Sequence, residues 1–395
     1  MTEPTQTEVA EMVREVRRFV RERVVPLEAQ IDEHDEIPAA IREQAKRLGL
    51  YGFALPSEHG GIGLSMAGEV ELVFELGWTA PAFRSLFGTN NGIAGHVLML
   101  GGTQEQRTMW LPKLASGEVT AAFALTEPEA GSNPADIATA AWRDGEDWVI
   151  DGTKRYITNA PSADVFMTFA RSTPGANGAD GISAFLVPAD VPGLTVAPRD
   201  RKMGQHGALT ADVVYDGVRV GSGALIGGEE GNGYRIALAC LAHGRLHIAA
   251  LCVGLAARLV EESLTWATER RQGGKPIAEH QLVAAMIADS QTELMAARAL
   301  VRDRARAYDA GEDRRLGPAC AKLFASEVVG RVADRAVQIH GGAGYMRGVA
   351  VERFYRDARL FRIYEGTTQI QQLVIAGELV RARLKGAPMS TRSQK

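Results

Sequence analysis

The stretch LHIAALCVGL, residues 246–255, is apolar on every face of the helix that it would form. In a soluble protein, a helix with this pattern is buried on all sides. It lies inside a nearly unbroken helical region from Tyr234 to Arg271, which at about 1.5 Å per residue would reach ~55 Å. Residues Leu246 to Val253 need more burial than two domains of one subunit readily offer. We therefore expect a homotetramer, arranged as a dimer of dimers.

Outward from this helix, the hydrophobic period changes with position along the chain. Expected helices cover about 8–30, 38–48, 65–76, 86–100, 103–116, 281–308, 312–339 and 369–384. Expected strands, bounded by Gly, Pro, Asp and Asn, cover about 148–154, 165–170, 182–187, 194–197 and 211–215. This order predicts a mainly α chain with a central β domain. The predicted parts are an N-terminal helical domain (1–118), a small β-sandwich or barrel (119–230), a C-terminal helical domain (231–384) and a disordered tail (385–395).

Composition excludes several classes of function. The chain has 395 residues, 46% of them hydrophobic, and a formal charge of −4, which gives no indication of nucleic acid binding. Its three cysteines have no metal-binding or redox spacing, so we expect buried thiols in a reducing cytoplasm. The N-terminus lacks a signal-peptide core, and no 18-residue apolar run is evident, so we expect no membrane insertion.

Near the C-terminus, residues 361–371 read FRIYEGTTQIQ. A single carboxylate, Glu365, stands between an aromatic residue and a glycine, and the threonines that follow can cap a helix. Glu365 has two readings: a helix-start acid favoured by the dipole, or a catalytic acid. The segment from Ile363 to Thr367 resembles the catalytic segment of the acyl-CoA dehydrogenase family, in which this Glu removes a substrate proton. The resemblance implies that Tyr364 and Gly366 contact substrate and that Thr367 and Gln369 contact the cofactor.

A second motif, FALTEPEAGS at residues 123–132, lies where the helical period gives way to strands. Its hydroxyls and loop amides suit the acceptor atoms of a flat heteroaromatic ring, although an ordinary loop is the alternative. The string is similar to the family's flavin-contacting signature, with Asn133 where Asp is common. The resemblance implies that Phe123, Leu125, Thr126 and Ser132 contact flavin and that Ser132 also meets substrate.

A third motif is KRYITN at residues 154–159. The family usually has Trp at the position of Tyr156, stacked near the flavin, and Thr at the position of Thr158. The resemblance implies that both residues contact flavin. An ordinary strand with an inward aromatic side chain is the alternative.

Two further motifs resemble the family's contacts to the FAD of a neighbouring subunit. The turn RRQGGKPI at residues 270–277 places Arg270 where an arginine meets the pyrophosphate, with Gln281 following, and Gly273 stands where Phe is common. A solvated basic helix end is the alternative. In QIHGGAGY, residues 338–345, the resemblance implies contacts from Gln338, Gly341 and Gly342, while a helix cap and loop is the alternative.

A last motif is LAHGR at residues 241–245. Arg245 matches a family arginine close to the catalytic Glu and the acyl-CoA. Some family members place the catalytic Glu at the Gly244 position, where this chain has no acid. We expect His243 to be a core histidine without a catalytic role. Asn90 and Asn91 lie where the family lines the acyl pocket, or they cap the next helix.

The motifs occur in the family's order along nearly the whole chain. The resemblance implies a C-terminal four-helix bundle and an enzyme, an acyl-CoA dehydrogenase, that converts an acyl-CoA to the trans-2-enoyl-CoA. Glu365 would take the α proton, FAD N5 the β hydride, and an electron-transfer flavoprotein the electrons; no metal site is expected. The alternatives are an acyl-CoA oxidase or related flavin monooxygenase, or a non-catalytic scaffold protein of this fold.

Overall fold

The computed structural model describes residues 4–173, 175–176 and 178–385, so the predicted tail from 386 onward lies outside the described residues. The predicted fold class is confirmed: helices, then a sheet, then long helices. The helices are α1 Gln6–Phe19, α2 Glu28–His34, α3 Ala39–Arg47, α4 Met66–Leu76, α5 Ala82–Gly88, α6 Gly95–Gly101, α7 Gln104–Ser116, α8 Gly233–Glu269, α9 Gln281–Asp309, α10 Leu316–His340, α11 Ala350–Leu360 and α12 Thr368–Leu384.

Local chemistry sets the ends of the N-terminal helices. Thr103 and Gln106 form the capping box that starts α7, as their spacing predicts. The expected helix over 8–30 is divided, because a π turn and a 3-10 turn around Pro26 separate α1 from α2. The expected helix over 86–100 is likewise interrupted by the π segment Thr89–Ala94 between α5 and α6.

Seven strands form one sheet: β1 Ala121–Ala124, β2 Ala140–Asp144, β3 Asp147–Thr158, β4 Val165–Arg171, β5 Ile182–Pro188, β6 Leu194–Val196 and β7 Thr210–Val220. Sequence reasoning missed β1 and β2, and the strand expected over about 148–154 is longer in the structure, because β3 continues through Gly152 to Thr158 with register shifts against β7. On β4, Phe166 faces one core and Met167 and Phe169 face another. Both sides of the sheet are therefore buried.

The long helix is confirmed as α8, with 37 residues. It packs on α9 and α10, α12 packs on α10, and α4 lies across α8 and α9. By length and composition α8 is apolar enough to cross a membrane, which corrects the expectation that no such run exists, but 83% of its most apolar window is buried inside the protein. It is therefore the core helix of this fold.

One subunit buries the apolar stretch of α8 by itself. Every residue from Leu246 to Val253 is at most 1% exposed within the single chain. The expectation that this stretch needs a second subunit is therefore wrong, because the prediction overlooked α4 and the helix α11, both of which pack against α8. Burial of α8 therefore does not support the prediction of a homotetramer.

Candidate active site

Glu365 lies in the connection between α11 and α12, which folds back against α8 and α10. Its backbone is left-handed, with φ 55°, and Gly366 follows with φ 87°. A Cβ built on Gly244 of α8 would lie 2.8 Å from Glu365 Oε2. The absence of a side chain at Gly244 therefore gives the carboxylate its place.

Two buried side chains hold this connection, and sequence reasoning missed both. Lys322 of α10 donates from Nζ to the carbonyl oxygen of Gly366 at 2.7 Å. Gln371 of α12 donates from Nε2 to the carbonyl oxygens of Glu365 and Gly366, at 3.1 and 3.0 Å. Both residues are 0% exposed. A lysine among the inward-facing alanines of α10 was the available signal, because lysine is almost never fully buried without a partner.

Burial and the surrounding positive charges act in opposite directions on the pKa of Glu365. Burial raises the pKa of Glu365, while Arg84, Arg245 and Lys322, in that order, oppose the rise. Glu365 Oε2 is buried and has no hydrogen-bond partner within the described chain. Such an unpaired carboxylate oxygen is available to accept a proton from a bound molecule.

Glu365 is one of a small group of residues with unusual backbone geometry. In the described part of the chain, five residues other than glycine have positive φ: Asp35, Tyr156, Asn159, Gln205 and Glu365. Asn159 joins the end of β3 to α5, since its Nδ2 donates to the carbonyl oxygen of Ser85 at 3.0 Å. Residues in sparsely populated backbone regions cluster at functional sites. Here Asn159 brings the end of β3 next to Ser85, the neighbour of Arg84 along the chain.

The loop of residues 123–132 is fastened from inside by an ion pair. Lys154, which is 0% exposed, donates from Nζ to Glu127 Oε1 at 2.7 Å and to the carbonyl oxygen of Leu125 at 3.2 Å. Glu127 also accepts from the backbone N–H groups of Ala138 and Thr139, at 2.5 and 2.9 Å. The loop is therefore fixed by the pair of Glu127 and Lys154, which sequence reasoning quoted but gave no role.

Comparison with known proteins agrees with this geometry. Three family domain models match in order: the acyl-CoA dehydrogenase N-terminal domain over residues 6–118, the middle domain over 122–218 and the C-terminal domain over 231–380. The chain belongs to the acyl-CoA dehydrogenase family. It is therefore an oxidoreductase, and members of this family are flavoproteins.

Relatives of known name cover nearly the whole chain. It is 36% identical over 365 residues to "Acyl-CoA dehydrogenase" of Bacillus subtilis, covering 92% of this chain and 96% of the relative. It is 36% identical over 377 residues to "Caffeyl-CoA reductase-Etf complex subunit CarC" of Acetobacterium woodii, covering 95% of this chain and 99% of the relative. The solved structure of butyryl-CoA dehydrogenase from Megasphaera elsdenii superimposes with a TM-score of 0.91 at 30% identity, covering 96% of this chain and 100% of that one.

The side chains of the flavin motifs fit a flavin of this family. Within the described residues, the hydroxyls of Thr126 and Thr158 have no hydrogen-bond partner, although both residues are only partly exposed. A Cβ on Gly131 would meet no atom within 4 Å, so the loop borders open space. Ser132 is exposed beside it. The hydroxyls of Thr126 and Thr158 thus offer unpaired donors to a ring with several acceptors, while Phe123 and Leu125 lie at the start of the same loop.

The Tyr156 side chain does not point inward, as an aromatic residue of an ordinary strand would. Its φ is 57° and its side chain is 63% exposed, so it does not point into the β core. Its ring packs instead under the guanidinium of Arg155, 5.2 Å from the ring centroid. The idea of an inward strand aromatic is therefore wrong, and the predicted place beside a flavin stays a prediction.

The remaining cofactor candidates lie far from Glu365 in the same chain. Trp266 near the end of α8 stacks on His340 at the end of α10, with ring centroids 5.0 Å apart, so these ends meet. Exposed residues share this end of the bundle: Arg270, Gln281, Gln338, Gly341 and Gly342. Along α8, 26 residues separate Gly244 from Arg270, which corresponds to ~39 Å. The structure therefore divides the predicted cofactor residues into two distant groups.

Near Glu365, the residues after it mainly shape α12. Thr367 is the N-cap of α12, with its Oγ1 accepting from the N–H of Ile370 at 3.2 Å, while Gln369 is exposed.

Arg245 is buried, and its Nε has no partner in the described chain. Burial lowers the pKa of this guanidinium, while Glu365 opposes the fall. Burial also raises the pKa of the Tyr364 hydroxyl.

The expectation that Asn90 and Asn91 line a pocket or cap a helix is wrong. Asn90 and Asn91 are 0% exposed and bond to backbone groups instead of lining a pocket or capping a helix. Asn90 holds the start of β1, and Asn91 holds the loop of residues 50–54. His243 is buried in the core, as expected, with its Nε2 facing Glu69 and its Nδ1 without a hydrogen-bond partner in the described chain.

Proposed function

We propose that the chain converts an acyl-CoA thioester to its trans-2-enoyl-CoA, with Glu365 as the base that removes the α proton. The observation that carries this proposal is the buried, unpaired Oε2 of Glu365, fixed against Gly244. Burial raises the pKa of this carboxyl. A higher pKa makes the carboxylate a stronger base, and a positioned base typically supplies ~10²–10⁴-fold in rate.

The backbone supplies a second element of the chemistry. Within the described chain, the N–H of Glu365 donates to no other group. It is therefore free to donate to the thioester oxygen, where negative charge develops as the α proton leaves. Lys322 and Gln371, which hold the neighbouring carbonyl groups, keep this N–H in place. The same connection thus presents both the base and a donor to the reacting thioester.

The flavin in this proposal is FAD. Thr126, Thr158 and the amides of the 123–132 loop would hold its ring, and the bound flavin would accept the β hydrogen as hydride. Ser132 would contact both the flavin and the substrate. The loop's buried Lys154–Glu127 ion pair would keep these donors aligned.

FAD is shared between subunits in this proposal. Arg270, Gln281, Gln338, Gly341 and Gly342 would hold the pyrophosphate and adenosine of a partner's FAD, because ~39 Å along α8 separates them from their own Glu365. The proposed assembly is a homotetramer, a dimer of dimers. Exposed apolar side chains on helices of the C-terminal domain support further contacts, among them Leu282, Leu373 and Leu384.

Electrons would leave to an electron-transfer flavoprotein. This is supported by the relative that is named as a subunit of a complex with Etf. The three free cysteines, of which Cys240 and Cys252 are buried, fit the proposed cytoplasmic location.

The test is anaerobic reduction of the flavin by a panel of acyl-CoAs of different chain length and polarity. We expect bleaching by at least one member, and loss of that bleaching in Glu365→Gln with the flavin retained. Near-normal reduction in Glu365→Gln would overturn the assignment of the base. Rapid reoxidation of the reduced enzyme by air would instead identify an oxidase.

A further inference from the structure

A cluster of buried ionisable side chains lies beside the candidate active site and has no part in the chemistry above. Glu69 of α4 and His243 and His247 of α8 place one ligating atom each within 4.8 Å of one another. All three are buried, with exposures between 0% and 4%. Arg84 of α5 extends the cluster, because its Nη2 lies 3.1 Å from His247 Nδ1.

The tautomer of His247 follows from its neighbours. A guanidinium only donates hydrogen bonds, so Nδ1 of His247 must accept from Arg84. The proton of the neutral ring is then on Nε2, which donates to Glu69 Oε2. Burial lowers the pKa of His247 to about 4, so the ring is neutral at physiological pH. One directed line of hydrogen bonds therefore runs from Arg84 through His247 to Glu69.

Glu69 is the anionic end of this line. Burial alone would raise the pKa of Glu69, but His243 and His247 together bring it below its ordinary value. His243 adds a second N–H donor, with Nε2 3.1 Å from Glu69 Oε2, and stacks on His96 with ring centroids 3.7 Å apart. The carboxylate thus stays ionised in the core of the protein.

Two histidines and a carboxylate are also a common donor set for transition metals. The protonation of His247 excludes that use here. A metal at Nε2 would require Nδ1 to carry the proton, and that proton would point at the donor-only guanidinium of Arg84. Arg84, His247 and Glu69 therefore form a chain of hydrogen bonds and not a metal site.

At its other end, Arg84 acts on Glu365. Arg84 lowers the pKa of Glu365 more than any other charged group does. Arg84 Nε and Glu365 Oε2 are nevertheless both buried without a hydrogen-bond partner in the described chain. Two opposite charges in a shared buried site ordinarily form a short, bidentate pair. In the described chain no hydrogen bond or ion pair joins the Arg84 guanidinium to the Glu365 carboxylate.

The packing of Arg84 shows what holds it. A Cβ on Gly88 would lie 2.7 Å from Arg84 Cζ, and one on Gly92 would lie 3.3 Å from Arg84 Nη2. The guanidinium therefore lies flat on the glycines of the π segment and its flank, with one edge fixed by His247. Its charge acts on Glu365 while its Nη2 is directed at His247.

We propose that Glu69 and His247 tether Arg84, so that its guanidinium stabilises ionised Glu365 without hydrogen-bonding to it and the carboxylate stays free to accept a proton. Glu69 and His247 are positioning residues in this scheme. The proposal rests on the proposed role of Glu365 as the base. The other ionisable groups that act on Glu365 or on Arg84 come from α8, α10 and the connection itself: Arg245, His243, Cys240, Lys322 and Tyr364.

The experiment compares the pH dependence of flavin reduction in the parent and in His247→Phe, which keeps a flat ring but loses the acceptor for Arg84. Freed from its tether, Arg84 should pair directly with Glu365. An opposite charge at contact lowers a carboxyl pKa by about 1–3 units, so the acidic limb should move down by that amount. The plateau rate should fall about tenfold as the base weakens.

A second substitution separates tethering from a structural effect. In His247→Phe/Arg84→Met, the competing cation is gone, so the acidic limb should move back to or above that of the parent. Glu69→Gln, which has the same shape but no charge, should shift the limb in the same direction as His247→Phe and carries the test if that variant does not fold. Circular dichroism and flavin content verify that each variant is intact.

The outcomes distinguish this proposal from the proposed function. If Glu365→Gln abolishes flavin reduction but the acidic limb is unmoved in His247→Phe and Glu69→Gln, the tether is wrong and the base stands. If the double variant keeps the lowered limb, the effect is structural and the tether is also wrong. A stoichiometric metal ion in the purified protein would overturn the assigned protonation of His247.

Discussion

Lys322 donates a hydrogen bond from Nζ to the carbonyl oxygen of Gly366, 2.7 Å away, from a fully buried position in the middle of α10. Burial lowers the pKa of this lysine to about 8, and Glu365 and Cys252 oppose the fall. Lys322 therefore joins the bundle to the connection that carries Glu365, and it places a cation near that carboxylate.

We expect Lys322→Met to impair turnover more than substrate binding. Loss of the bond to Gly366 frees the connection on one side, and a shift of about 1 Å in a reacting group costs ~10²-fold in rate. Stopped-flow flavin reduction should show kcat falling by about that factor with a smaller change in KM. Exposed Lys113→Met is the control, and an unchanged kcat in Lys322→Met would remove Lys322 from the site.

The contact between Gly244 and Glu365 predicts that a glutamate at position 244 can take over the role of the base. A Cβ on Gly244 points at the place that Glu365 Oε2 occupies. Glu365→Gly should lose ~10²–10⁴-fold in rate, and adding Gly244→Glu should recover at least about tenfold, because a carboxylate returns near the same point. Equal rates in the single and double variants would show that position 244 cannot present a base to the substrate.

Glu365→Gln should be more stable than the parent at neutral pH. The raised pKa of Glu365 means that the folded state favours the protonated acid, so its contribution is fully present below the ordinary value of 4.5 and is lost as pH rises through the raised pKa. Glutamine lacks this loss. Thermal unfolding should show no difference near pH 4 and a gain of about 1 kcal/mol at pH 8; a gain independent of pH would contradict this account.

Neutralising Glu127 should destabilise the protein much more than neutralising Glu129, the other acid of the 123–132 loop. Glu127→Gln leaves Lys154 buried without a counter-charge, and breaking a buried ion pair costs about 3–5 kcal/mol. Its exposed neighbour Glu129 makes no ion pair in the described chain, so Glu129→Gln should lie within about 0.5 kcal/mol of the parent. Denaturant unfolding measures both. We expect only Glu127→Gln to release flavin on gel filtration.

Sharing of FAD between subunits predicts that Arg270 affects retention of the cofactor. Arg270→Ala should release FAD during gel filtration while the subunit stays folded, because Arg270 lies ~39 Å along α8 from its own site. Binding only to the assembly makes retention depend on subunit concentration. Arg14→Ala, an exposed change on α1, is the control. A dissociated subunit that still holds FAD would refute sharing.

The sequence by itself determined the features that depend on neighbours along the chain. The 3.6-residue and 2-residue periods gave the order of helical and β parts, because those periods are properties of local backbone geometry. Thr103 and Gln106 predict the start of α7, because a capping box needs only four consecutive residues. Glu365 stood out because its aromatic and glycine neighbours are specific as a string.

The tertiary structure alone decided which distant residues meet. Glu69 and His247 are 178 positions apart and Lys322 and Gly366 are 44 apart, so no local pattern connects them. The same is true of Leu246 to Val253, whose burial looked like a need for other subunits until α4 and α11 were placed against α8. Burial and charge pairing depend on how helices pack. Only the folded chain brings Arg84 of α5 to His247 of α8, and His247 to Glu69 of α4.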